Sequence, residues 1–162
     1  MQLLLSRCMD WYNRVTMGLA WLAPLSLLSF RLWVAMDFWN AGRVKLADMT
    51  STVSLFEYVY HVPVLPPVFA AYLGTGIELV LPWFLALGFG GRITAAILFV
   101  YNIIAVISYP DLWPDGLWQG FWHGGFVDHK VWALMLLPVI LSGPGTWSID
   151  HWLKRRLGAG TN

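Results

Sequence analysis

Cys8 is the only cysteine in 162 residues, which excludes an intramolecular disulfide and any CxxC pair for thiol redox chemistry. Charge is also scarce. Asp, Glu, Lys and Arg make up 12% of the chain and the formal net charge is +1, so the basic surplus of a nucleic-acid partner is missing. No internal repeat, low-complexity tract or long linker interrupts the chain, and without a repeat or paired broken helices a solute transporter has little support. A cleavable leader is not expected either: Leu3-Leu4-Leu5 has no basic residue before it, and Arg7-Cys8 lacks the small residue of a processing site.

What is present is apolar. Hydrophobic residues are 58% of the chain and mean hydropathy is +0.61, too apolar for a soluble domain of this size. Crossing a hydrocarbon core takes about 20 mostly apolar residues. Runs at approximately 17–39, 68–88, 93–109 and 128–142 qualify, and predict one domain over 1–162: an all-α, four-helix transmembrane bundle with interfacial N- and C-terminal segments. Pro66-Pro67, Gly88-Phe89-Gly90-Gly91, Tyr109-Pro110 and Gly143-Pro144-Gly145 punctuate the helix ends. Pro24, Pro82 and Pro138 fall inside spans and read as kinks.

The basic residues orient the bundle, because cytoplasmic loops are enriched in Lys and Arg. With both termini inside, Arg7, Arg14, Arg92, Lys154, Arg155 and Arg156 are cytoplasmic, against Arg43, Lys45 and Lys130 outside. Trp33, Trp39, Trp113, Trp118, Trp122 and Trp132 then gather at the outer interface. Residues 1–16 read as an interfacial stretch, and the tail, with Trp152, Leu153 and Leu157 beside three basic residues, as a short helix on anionic lipid.

Ionisable groups inside such spans usually face a protein interior or a wet cavity. At about 1.5 Å per residue, Arg31 lies roughly 12 Å below Trp39, Glu78 roughly 15 Å below Val68 and Asn102 roughly 10 Å below Tyr109. Equal depth on three helices predicts a shared buried polar centre of Arg31, Glu78 and Asn102. Lys45, Tyr72, Tyr101, His123, Asp128 and His129 are candidates for lining an outward-facing cavity above it. Imidazole and carboxylate also make His123, Asp128 and His129 candidate metal ligands, although a separation of six residues matches no standard ligand spacing. No catalytic residue is assigned.

The ordered set of motifs resembles the DoxX family of small four-span bacterial membrane proteins. Arg31, then Gly42-Arg43-Val44-Lys45, Glu78, Pro82, Arg92, Tyr109-Pro110 and the closing Gly143-Pro144-Gly145-Thr146-Trp147-Ser148-Ile149-Asp150 carry it, over roughly residues 27–157. A subgroup is suggested by Leu55-Phe56-Glu57-Tyr58, Val62-Pro63-Val64-Leu65-Pro66-Pro67 and Asp128-His129. Asp37, Asn40 and the stretch 118–125 depart from that pattern. The resemblance implies a multi-pass protein of the bacterial inner membrane, in contact with the bilayer and linked to envelope stress or redox systems, some with peptide-modifying enzymes. Two roles follow. One is an accessory component whose outer loops dock an envelope partner and whose polar centre is architecture; the other is an oxidoreductase-associated subunit holding a quinone or metal ion in the outer cavity.

Overall fold

The computed structural model describes residues 2–158, with side chains at residue 5 and from residue 7 onward. Residues 1 and 159–162 of the expected domain lie outside the described residues. Within the described residues the chain is entirely helical and loop, with no strand.

Helices α1 (Gln2–Ala20) and α2 (Ala23–Ala47) are separated only at Trp21-Leu22. There the bonds tighten to Trp21 N–H to Gly18 and Leu22 N–H to Leu19, a local 3₁₀ pattern. Pro24 stands in the first turn of α2, where its missing N–H is not needed; it starts a helix instead of kinking one. Residues Arg7–Ala47 form a 41-residue run, about 60 Å long and twice the thickness of a hydrocarbon core. The 25 residues of α2 suffice to cross. The portion left over is α1, which carries Arg7, Asp10 and Arg14.

The helix that carries the first expected span runs on eight residues past Trp39, to Ala47. Nothing between Asn40 and Ala47 breaks a helix, and one glycine within a packed helix costs only about 1 kcal/mol. Helix α3 (Met49–Tyr58) follows at once, capped by Asp48, whose carboxylate accepts from the Ser51 N–H at 3.0 Å and the Ser51 hydroxyl at 2.6 Å. Those two bonds hold the Asp48 carboxyl below its ordinary pKa. The stretch 40–67, between the first two apolar runs, is therefore largely helix.

Helix α4 (Pro67–Leu87) begins on Pro66-Pro67 and ends at Gly88, which takes the left-handed conformation at φ 65°. Helix α5 (Gly91–Ser108) returns antiparallel to it. A short 3₁₀ turn (Pro110–Leu112) and α6 (Leu117–His123) lead into α7 (Val127–Ser142), and α8 (Ile149–Gly158) closes the described chain. Helix α2 packs on α4 and α7, and α5 on α7 and α4. Three helices are long and apolar enough to cross a membrane, or up to four if α6 and α7, bent by 81°, make one span.

The core among the packed helices is small: Val34, Ala35, Phe38, Leu85, Ala95, Leu98, Leu136 and Val139. The outward faces are as apolar as the inward ones. Trp33, Met36, Val80, Trp83, Ile93, Val100, Leu134 and Leu141 are all exposed, the arrangement of helices solvated by lipid.

Candidate functional site

Helical periodicity on three elements builds one cavity. On α4, Ala70, Leu73, Gly74, Ile77 and Glu78 recur at i, i+3, i+4, i+7 and i+8; on α5, Tyr101, Ile104, Ala105 and Ser108 do the same; on α2, Ala41 and Lys45 are one turn apart. All of them line a cavity of about 400 Å³, closed by Phe56, Tyr60, Val62, Leu65, Tyr109, Leu112, His129 and Trp132. The loop over it is held by a bond from the His61 N–H to the Ser108 carbonyl at 2.7 Å. Val64, fully exposed on that loop, has φ 72°, a conformation that costs a β-branched residue about 1–3 kcal/mol. Its neighbours Val62 and Leu65 face the cavity.

The charged pole of the cavity is Glu78 with Lys45. The ammonium reaches both carboxylate oxygens at 2.5 Å, and the Tyr101 hydroxyl donates to Oε1 at 2.8 Å. The exposures of the Lys45 and Glu78 side chains are 20% and 7%, and breaking so buried a pair typically costs about 3–5 kcal/mol. Gly42, one turn before Lys45, makes this contact possible. A Cβ there would stand 2.9 Å from the Glu78 Cβ and 3.0 Å from its carbonyl carbon, so only glycine lets α2 and α4 come this close.

Beside this pole, Asn102 and His129 bond reciprocally. The Asn102 Nδ2 donates to the His129 carbonyl at 2.8 Å, which turns Oδ1 toward the His129 Nδ1 at 2.7 Å. Since Oδ1 only accepts, Nδ1 carries the hydrogen, and in the neutral ring Nε2 is the remaining acceptor. The Trp132 indole donates to Asp37 at 2.8 Å and its ring packs on Phe38 and His129. Asp37 thus acquires a structural partner, and Trp132 forms part of the cavity wall.

At the opposite end of the α5 face lies Ser108. It is 4% exposed, and its hydroxyl has no hydrogen-bond partner among the described residues. Several helical hydroxyls bond back to the preceding turn, as in Ser29 to Leu25, Ser54 to Thr50 and Thr75 to Ala71. Ser108 does not. Near it, burial raises the Tyr60 phenol above its ordinary pKa, with Tyr109 and Glu78 adding to the effect, so Tyr60 stays a neutral donor.

The expected centre of Arg31, Glu78 and Asn102 does not form. Arg31 is fully buried at the other end of the packed helices, where its guanidinium donates to the carbonyls of Leu85 at 3.5 Å, Ala86 at 3.1 Å and Trp147 at 2.6 Å. A depth measured from Trp39 is too shallow for Arg31, because α2 continues to Ala47. Arg31 and Lys45 are thus about 21 Å apart along one helix. The carbonyls it meets at the end of α4 carry the negative pole of the helix dipole. The closing motif completes this lock: Asp150 accepts from the Gly90 and Gly91 N–H groups, each at 2.8 Å, while Pro144 packs against Gly88 and Gly91.

Other candidates disperse. Tyr72 is 58% exposed on the outer face of α4. His123 is exposed on α6, with Nδ1 3.3 Å from the Gln119 carbonyl, and Asp128 is exposed in the first turn of α7. His123, Asp128 and His129 therefore make no ligand set, and among the described residues no group of three or more His, Cys, Asp or Glu is placed to hold a metal ion. Sequence reasoning missed Ser108, Tyr60, Tyr109 and Trp132. The spacing of Tyr101 and Ser108, two turns apart on one face, was the available signal for the first.

A DoxX family model matches residues 26–110 of the chain. The chain belongs to the DoxX family. The DoxX region takes in α3, α4, α5 and all but the first turn of α2, and so contributes Lys45, Glu78, Tyr101, Asn102 and Ser108; His129, Trp132 and the closing motif come from beyond it. Comparison with curated proteins and with solved structures finds no match.

Proposed function

We propose that this DoxX protein is an accessory subunit of an envelope redox or stress system in the bacterial inner membrane, and that it holds a quinone-like molecule in the cavity between α2, α4 and α5. The observation that carries this reading is the cavity itself. Its volume of about 400 Å³ is that of a small-molecule site, and its mostly apolar walls with a few convergent polar groups have the same character. An unpaired buried hydroxyl costs about 1–3 kcal/mol, and Ser108 carries such a hydroxyl on the cavity wall. Rotation of the Ser108 side chain toward a ligand oxygen in the cavity removes the penalty.

The polar groups suit the two faces of a quinone ring. Its carbonyl oxygens only accept, and Ser108, Tyr60 and the third N–H of the Lys45 ammonium are donors on the cavity wall. The hydroxyls of the reduced ring donate, and His129 Nε2 accepts. Leu65, Leu73, Ile77 and Ile104 supply the apolar surface for ring substituents and tail. The bound group supplies the redox chemistry; the protein's side chains orient it and keep lipid and water from it. Orientation with both termini cytoplasmic rests on the distribution of Lys and Arg, and places the cavity toward the outer leaflet.

The test is what co-purifies with protein extracted into lipid nanodiscs, read by mass spectrometry and absorption spectroscopy beside the Glu78→Gln variant. The reading expects a near-stoichiometric isoprenoid quinone in the native chain and at least about tenfold less in a folded variant, the effect of losing roughly 1.4 kcal/mol of binding. Equal quinone in both proteins, or none in either, overturns it.

A further inference from the structure

A second groove, remote from the cavity, lies at the Arg31 end of the packed helices. Its volume is about 470 Å³, and its walls come from the start of α5, residues 142–148 and α8. Three basic side chains converge on it: Arg92, His151 and Lys154. Arg92 and Lys154 are exposed, and neither has an ion pair among the described residues. Ser142 and Thr146 line the same groove. The one carboxylate present, Asp150, has each of its oxygens engaged by a backbone N–H, from Gly90 and Gly91. Gly143 shapes the groove. It has φ 91°, and a Cβ on it would stand 3.3 Å from Nε of Arg92, so the glycine leaves room for the guanidinium to lie along the loop.

This is a set of cationic and hydroxyl donors in which the single carboxylate is turned to the backbone of Gly90 and Gly91, the donor chemistry of an oxyanion site. Its surroundings are apolar: Ile93 is 69% exposed, Trp147 60% and Trp152 55%. A free phosphate has no use for such a rim, whereas a phospholipid brings acyl chains to it. We propose that this groove binds the phosphodiester headgroup of an anionic phospholipid, with Arg92 and Lys154 contacting the phosphate and the exposed Ile93 and Trp152 the chains. The site is independent of the quinone reading. Bound lipid would pin α8 and the closing motif against the turn between α4 and α5, the segment that the Arg31 lock also holds.

The experiment is native mass spectrometry of the full chain released from detergent after titration with phosphatidylglycerol, phosphatidylcholine or inorganic phosphate. Three proteins are compared: native, Arg92→Gln with Lys154→Gln, and Arg7→Gln with Arg14→Gln. The second pair is a control, because those two arginines lie on α1 and do not line the groove. Phosphatidylglycerol should be retained over phosphatidylcholine by about 25-fold, on the order of fivefold for each basic contact. The ratio should fall to near one in the Arg92/Lys154 variant, with its thermal midpoint unchanged, and stay high in the control. The proposal is overturned if both variants lose selectivity equally, which would make the effect one of general charge, or if inorganic phosphate displaces the lipid at millimolar concentration.

Discussion

Replacing Ser108 by alanine tests the cavity in two ways, because a hydroxyl kept for a ligand should cost the ligand-free fold and strengthen binding. The hydroxyl is buried without a partner, and such a group costs the folded chain about 1–3 kcal/mol. Alanine removes the hydroxyl with almost no change in volume and leaves no cavity larger than the one already there. Ligand-free Ser108→Ala protein should therefore be more stable than the native chain, by about 1 kcal/mol as a minimum. Quinone binding should weaken, since a neutral hydrogen bond contributes about 0.5–1.5 kcal/mol, a factor of about 2–12 in Kd. Reversible unfolding in mixed micelles, monitored by circular dichroism, gives the first quantity. Titration with a short-tailed quinone analogue gives the second. A variant that is less stable when ligand-free would mean that Ser108 serves the fold, and the reasoning would fail.

The remaining predictions concern the framework. Gly42→Ala should cost about 1–3 kcal/mol by overpacking α2 against α4 and should separate Lys45 from Glu78, a loss measurable by unfolding and by disulfide cross-linking of cysteines engineered into the two helices. Asp150→Ala removes the acceptor of two N–H groups at the start of α5 and should cost about 0.5–2 kcal/mol; faster amide exchange at Gly90 and Gly91 would locate the effect. Arg31→Gln strands buried carbonyls at the end of α4, at about 1–3 kcal/mol for each left unpaired, and should increase protease sensitivity around Trp147 while leaving quinone affinity within about twofold. Asp48 has a lowered pKa in the folded chain, so its contribution is complete above the unfolded value of about 4 and is lost as pH falls through the folded value. Exchange at Ser51 should accelerate only below that range.

Much of the helix layout was legible because apolar runs were bracketed by residues with one local meaning. Pro66-Pro67, Gly88, Tyr109-Pro110 and Gly143 set the ends of α4, α5 and α7 to within about two residues of the sequence reading, inside the usual uncertainty of helix boundaries. The first span lacked such brackets. Its break at Trp21-Leu22 carries no signal beyond Pro24, and its far end runs on through polar residues because Gly42 and Lys45 pack against α4, a tertiary contact that hydropathy does not register. That single boundary misplaced Arg31. The intramembrane polar residues were legible one by one, since each is costly in lipid, but their pairing depends on helix rotation and end position. Ser108 was hidden for another reason: a serine at the end of an apolar helix looks the same whether or not its hydroxyl bonds to the preceding turn.

Photoaffinity labelling with an azido-quinone, followed by peptide mapping, reports where the ligand sits as well as whether it binds. The account predicts adducts on the cavity faces of α4 and α5, around Leu73, Ile77, Ile104 and Ala105, with labelling reduced in Glu78→Gln. Adducts confined to the lipid-facing aromatics, or spread evenly over the exposed apolar surface, would contradict it.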